Sequence, residues 1–248
     1  MFIYFIVSFV LSLVLMPIII KLCNRYKLYD YQSARKIHSG DISRLGGIGI
    51  ALSFFISVLC YLFFSSNAAF VTFFPIILAG FIIFVLGITD DLHSLSAIIK
   101  LLFQLLAASI VVFTDHRFKQ IGPWELPTII SYGLTFAWII GVINAFNLID
   151  GLDGLCGSLS FTTTVTLGIL FYLSGNSEYI ICFILAASIL GFLIFNWPPA
   201  KLFMGDSGSQ FLGFMIAVIP LFTSNNVFEH NKLLIIITLA AFPIFDTI

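Results

Sequence analysis

Charge is what this chain most lacks. Only 9% of its 248 residues are Asp, Glu, Lys or Arg, against about 25% in an average soluble domain. So few charges cannot cover a water-soluble globule of this size, and they cannot form the basic face of a nucleic-acid binder. The formal net charge is -1, so no global electrostatic pull exists. Cysteine is scarce and dispersed. Cys23, Cys60, Cys156 and Cys182 show no C-x-x-C spacing, which excludes a disulfide frame or a cysteine zinc site and leaves four buried apolar residues. No Pro/Gly/Ser linker, low-complexity run or internal repeat divides the chain. The alternating pattern of a membrane β-barrel strand is also missing.

What is there is apolar. Hydrophobic residues make up 60% of the chain, and Phe alone occurs 29 times. Mean hydropathy is +1.12. A bilayer core of ~30 Å needs about 20 apolar residues per helix. Nine stretches approach that length: 2–22, 45–64, 70–88, 98–114, 128–146, 158–174, 179–195, 210–223 and 232–248. The expected fold class is therefore an all-α integral membrane protein, a polytopic bundle of about nine transmembrane helices forming one domain. The first stretch is no signal peptide, because it is long, lacks a basic start and has no cleavage site after it. The ninth reaches Ile248 without a polar stop, which predicts a chain truncated at its C-terminus.

Nine spans leave loops on alternating sides. Eight of the 11 Lys and Arg residues fall on the side of the odd loops, among them Arg25, Lys27, Arg35, Lys36, Arg44, Lys100 and Lys201. Arg117, Lys119 and Lys232 are opposite. The positive-inside rule then places the odd loops in the cytoplasm and the N-terminus outside.

The acids gather on the same side. Of 12, five flank three short loops: Asp90 and Asp91, then Asp150 and Asp153, then Asp206. Ionisable groups at membrane depth are expensive and call for compensation. Hard Mg²⁺ or Mn²⁺ suits carboxylate and amide oxygen, and binds through one or two carboxylates plus substrate phosphates. The basic residues of loop one, with Lys100 and Lys201, suit anionic oxygens. Together these groups are equipment for phosphoryl transfer. Singly, each has a plainer reading. Asp90-Asp91 fits a solvated loop, Asp150-Gly-Leu-Asp153-Gly fits a turn, and Asn144 and Asn147 fit helix ends. Gly205-Asp206-Ser207-Gly208 also matches a serine-protease pattern, for which His38 or His93 would have to act as base. Joint occurrence on one face favours the phosphoryl-transfer reading.

Four segments, Arg35 to Gly47, Asp90 to Lys100, Asn144 to Leu155 and Asn196 to Gly213, with Phe242 to Thr247, together resemble the polyprenyl-phosphate N-acetylhexosamine-1-phosphate transferases of glycosyltransferase family 4. They occur in the family's order over almost the whole chain. The resemblance implies catalytic loops near 23–44, 89–100, 147–157 and 196–209 on the cytoplasmic face of a bacterial cell (inner) membrane. It implies transfer of a HexNAc-1-phosphate, with loop one resembling the GlcNAc-1-phosphate branch, from a UDP-sugar to undecaprenyl phosphate. The products are a polyprenyl-diphospho-sugar and UMP, in the first membrane step of a cell-envelope polysaccharide. By resemblance, Asp206 and Asn147 hold Mg²⁺, and Asp90, Asp91, Asp150 and Asp153 are the catalytic acids. Lys36, His38, Arg44, Lys100 and Lys201 bind substrate. The implied partners are a UDP-N-acetylhexosamine, undecaprenyl phosphate and membrane lipid, with no nucleic acid and with a homodimer allowed.

This chain departs from the family at Ser43, where a proline is usual, and it lacks the C-terminal histidine-rich loop. A membrane transporter and a truncated, non-catalytic homologue are the alternatives.

Overall fold

The structure, a computed structural model, describes residues 2–29, 42–65 and 67–223. Lys36, His38, the segment Phe242 to Thr247 and the expected ninth span lie outside these residues. Eight helices account for the other eight stretches: α1 (Phe2–Tyr26), α2 (Gly46–Phe63), α3 (Asn67–His93), α4 (Ala97–Phe113), α5 (Thr128–Ile149), α6 (Leu155–Leu173), α7 (Tyr179–Asn196) and α8 (Asp206–Val218). All but α4 and α8 are long and apolar enough to cross a membrane. The shorter pair, α4 and α8 with the 3-10 turn Ile219–Phe222, are apolar as well. The protein is a multi-pass membrane protein.

α8 is the centre of the bundle. Every side chain from Ser207 to Val218 is buried, and the helix packs mainly on α3 and α5 and also touches α2 and α6. α1 and α7 pack together with α2, and α6 lies on α7. This layout explains the composition of α8. Ser207, Ser209 and Gln210 are tolerated there because protein, not lipid, surrounds them.

Without a water-driven force between helices, close packing has to hold such a bundle together, and small residues permit it. Gly213 faces α5. A Cβ there would stand 2.9 Å from Ile143 Cα and 3.0 Å from Phe146 Cβ. The backbone of α5 cannot yield as a flexible side-chain tip would. Gly213→Ala is therefore expected to cost about 1–3 kcal/mol by overpacking, seen as a lower thermal midpoint in detergent. An unchanged midpoint would show that α5 and α8 are less tightly opposed than this.

The alternation of helices puts the ends 26, 46, 93, 97, 149, 155, 196 and 206 at one end of the bundle. Contacts join them directly. Phe203 N donates to Ser43 O at 2.7 Å, Gly46 N to Phe203 O at 2.9 Å, and Gly154 N to Asn196 Oδ1 at 3.0 Å. The opposite end carries a feature the sequence reading did not anticipate, a two-stranded hairpin of β1 (Gln120–Ile121) and β2 (Trp124–Glu125). Phe118 anchors it. The ring is buried, its N–H donates to Thr135 Oγ1 at 3.1 Å, and its carbonyl accepts from Ser131 Oγ. Nearby, the Lys119 ammonium, helped by Arg117, holds the Asp115 carboxyl below its ordinary range. That pair is solvent-exposed and contributes little stability.

Candidate active site

At the loop end of the bundle, three ionisable side chains from three helices converge. Asp90 lies in the last turn of α3, Lys100 in the first turn of α4 and Asp206 at the first position of α8. The Lys100 ammonium forms an ion pair with Asp90 Oδ2 and a second, at 3.2 Å, with Asp206 Oδ2. The two acids differ in access. The Asp90 side chain is 3% exposed and that of Asp206 34%, so Asp206 offers its carboxylate to a ligand while Asp90 lies behind it.

Asp90 also shapes the turn that delivers Lys100. Its Oδ1 accepts from Leu95 N at 2.8 Å and its carbonyl from Ser94 N at 2.9 Å. Ser96 then caps α4, its Oγ accepting from Ile99 N. One turn into α4, Lys100 is thereby aimed back at the end of α3.

Asp91, next to Asp90, turns away from this cluster. It is buried, and its two oxygens accept from Asp206 N and Ser207 N, each at 2.9 Å. Arg44 is close enough to act on its charge. Asn147 sits inside α5, not in a loop, and its Oδ1 accepts from Ser209 Oγ at 2.8 Å, one turn along α8 from Asp206. Asp150 follows as the C-cap of α5. Asp153 Oδ2 accepts from Ala200 N at 3.0 Å and so ties the α5–α6 turn to the chain before α8. Lys201 is exposed on that same stretch, its N–H bound to Phe195 O at 2.8 Å. The structure thus unites Asp90, Lys100 and Asp206, sets Asn147 beside them, and gives Asp91 and Asp153 backbone partners.

Two residues escaped the sequence reading. Gln210 is fully buried, and its amide N–H₂ faces both acids, at 3.3 Å from Asp90 Oδ2 and 3.5 Å from Asp206 Oδ2. Behind it, Gln104 Nε2 lies 3.5 Å from Gln210 Oε1, and Asn144 Nδ2 donates to Gln104 Oε1 at 3.0 Å. An uncharged polar residue inside an apolar run is a usable signal, because such a group must find a partner in the bundle.

Ser207 is completely buried. Gly47 and Gly87 abut its backbone, which leaves no approach for the substrate of a serine nucleophile.

Among the described residues, no three His, Cys, Asp or Glu side chains form a metal cage. Mg²⁺ does not require one, since it commonly takes one or two carboxylates and completes its shell with water and substrate phosphates. An accessible Asp206 carboxylate with the Asn147 amide oxygen beside its helix is a donor set of that kind. The residues fit the ion.

The glycosyl transferase family 4 model matches residues 73–224, which include every member of this cluster. A Bacillus subtilis (strain 168) protein named "Probable undecaprenyl-phosphate N-acetylglucosaminyl 1-phosphate transferase" is 38% identical over 251 residues, covering 98% of this chain and 68% of the relative. The decaprenyl-phosphate N-acetylglucosaminephosphotransferase of Mycobacterium leprae (strain TN) is 32% identical, with 79% of this chain and 54% of the relative covered. The phospho-N-acetylmuramoyl-pentapeptide-transferase of Staphylococcus carnosus (strain TM300) is 30% identical, with 96% and 84% covered. The chain thus spans between about half and five sixths of the length of these relatives. On the family match and the first of these relatives, this chain belongs to glycosyl transferase family 4.

Proposed function

We propose that the protein transfers N-acetylglucosamine-1-phosphate from its UDP-sugar to undecaprenyl phosphate at the cytoplasmic face of a bacterial cell membrane. The observation that carries this reading is Lys100 clamped between Asp90 and Asp206 at the loop end of a membrane bundle. The names of the relatives support the lipid phosphate acceptor and the sugar. The charge count of the loops supports the cytoplasmic side.

The reaction joins two anions. An oxygen of the lipid phosphate attacks the β-phosphorus of the UDP-sugar, the bond from that phosphorus to the bridging oxygen breaks, and UMP leaves with the electron pair. A phosphate monoester has a second pKa near ~6 and is mostly dianionic at neutral pH, so the nucleophile needs little help from a base. What it needs is relief from repulsion and a fixed line of approach. Lys100 supplies positive charge for the diphosphate. Asp90, buried at the end of α3, holds Lys100 in place, and through that ammonium it fixes where the incoming phosphate is received. Asp150 and Asp153 border the same face from the α5–α6 turn, where the nucleotide and sugar are to be held. Arg44 and Lys201, with Lys36 and His38 of loop one, gather the anionic groups. Asp206 and Asn147 would hold Mg²⁺, which when bound supplies charge to offset the diphosphate and the leaving UMP.

UMP release from UDP-N-acetylglucosamine by the protein in nanodiscs tests this reading. Release is expected only with undecaprenyl phosphate present, and EDTA is expected to abolish it. Mg²⁺ or Mn²⁺ should restore it. Sugar nucleotide left intact with every UDP-hexosamine, lipid and metal would reject the transferase reading. Release that survives EDTA would reject the metal.

A further inference from the structure

Asp90 and Asp91 are neighbours on α3, about 100° apart around the helix, and they meet α8 in different ways. Asp90 reaches the Asp206 side chain through Lys100. Asp91 reaches the backbone, with Oδ1 on Asp206 N and Oδ2 on Ser207 N. We propose that Asp91 is a positioning residue and not a catalytic acid: it caps α8 from outside that helix, and by fixing the first turn it sets where the Asp206 carboxylate stands. This inference rests on the transferase reading of the site.

A helix leaves its first N–H groups without partners inside the helix, and a side chain at the N-cap usually takes one of them. α8 cannot do this for itself. Its N-cap is Gly205, with φ at 74° and no side chain to offer. The missing acceptor comes from 115 residues upstream in sequence, as a carboxylate with one oxygen for each of two N–H groups. Such bonds are charge-assisted, and the carboxylate lies at the positive end of the helix dipole.

Glycine at 205 belongs to the same arrangement. A Cβ there would lie 2.8 and 2.9 Å from the two Asp91 oxygens and would collide with the Arg44 carbonyl. Any side chain at 205 would therefore displace the cap.

Gly87, one turn before Asp91 on the same side of α3, completes the support. A Cβ there would stand 2.5 Å from Ser207 Cα and 2.6 Å from Asp206 O. α3 therefore holds α8 twice, by contact at Gly87 and by charge at Asp91. Both supports meet the two residues whose N–H groups Asp91 binds. With both oxygens taken by backbone and its surface 5% exposed, Asp91 presents nothing to substrate.

A graded series separates positioning from chemistry. Asp91→Asn keeps one acceptor oxygen, and Asp91→Ala keeps none. Gly87→Ala leaves every carboxylate intact and pushes on the same turn. Two quantities are read in nanodiscs: kcat for UMP release, and Mn²⁺ affinity by electron paramagnetic resonance, which needs no turnover. Asp91→Asn is expected to lower kcat about tenfold and Asp91→Ala about a hundredfold, the range for losing hydrogen bonds to a charged group. KM for the UDP-sugar should stay close to wild type. Mn²⁺ affinity should fall in the same order, and Gly87→Ala should lower both kcat and Mn²⁺ affinity.

The proposal is overturned if Asp91→Asn is as inactive as Asp91→Ala while both bind Mn²⁺ like wild type, since the charge would then act in the chemistry. Unaltered Mn²⁺ affinity in Gly87→Ala overturns it as well. Should Asp91→Ala fail to fold, Asp91→Asn and Gly87→Ala carry the test. A wild-type protein that binds Mn²⁺ but releases no UMP would sink the transferase reading, while the order of Mn²⁺ affinities would still decide the role of Asp91.

Discussion

Asp206→Ala is expected to lower kcat for UMP release about a hundred- to a thousandfold, the loss seen when a group aimed at developing charge is removed. The fold should survive. Asp206 is the more exposed partner of Lys100, at 34% against 3% for Asp90. When it is removed, the buried Asp90 keeps its counter-ion. The Asp91 cap also remains, because it binds the backbone of residue 206 and not its side chain. A thermal midpoint close to wild type should therefore accompany the lost activity. Asp206→Asn separates charge from shape. It preserves the volume and an oxygen but lowers the negative charge, and Mn²⁺ binding is expected to weaken in both variants. Near-normal turnover in Asp206→Ala would remove this residue from the site and with it the case for Mg²⁺ there.

Much of this arrangement is legible in the sequence because a membrane makes polar residues expensive. Eight of the nine apolar stretches correspond to described helices, and at the loop end of the bundle every one of these but α2 runs past its expected boundary. Where the sequence ends a span before its polar residues, the helix runs on. α3 continues through Asp90 and Asp91 to His93, α5 continues through Asn147 to Ile149, and α8 begins at Asp206, not at 210. The physical reason is that helices outlast the hydrocarbon layer, so polarity marks the edge of the bilayer and not the end of hydrogen bonding. Periodicity could not correct this. In helices that are apolar all round, no moment separates the face toward α8 from the face toward lipid.

The part that could not be read depends on which helices touch. Nothing in the chain near residue 91 says that its carboxylate caps a helix beginning at residue 206. In sequence, Asp90 and Asp91 are equivalent neighbours, and only the packing of α3 on α8 distinguishes them. Gln104 and Gln210 leave little trace in the sequence, because one amide beside a long apolar run barely alters its hydropathy. The hairpin at 120–125 has no strand-length signal at all, and Phe118 and the hydroxyls of α5 anchor it.

Lys100→Met tests the other half of the cluster and should affect stability as well as rate. Removing the ammonium leaves Asp90 buried and close to Asp206 with no cation between them. Breaking a buried pair from one side costs about 3–5 kcal/mol. Lys100 is 24% exposed, so water reaches the pair and the lower end of that range is expected. The rate should fall at least about a hundredfold, because the same ammonium is proposed to offset the diphosphate. These two roles can be separated. In Lys100→Met/Asp90→Asn the buried charge is removed along with its partner, so most of the lost stability should return, giving a coupling of about 2–3 kcal/mol between the two positions. The rate should not return, because no cation has been restored. A double variant that regains both would show Lys100 to be a counter-ion for Asp90 and nothing more. The positive charge at the phosphates would then have to come from Arg44, Lys201 or loop one. If the double variant regains stability alone, it places Lys100 among the groups that act on the substrate.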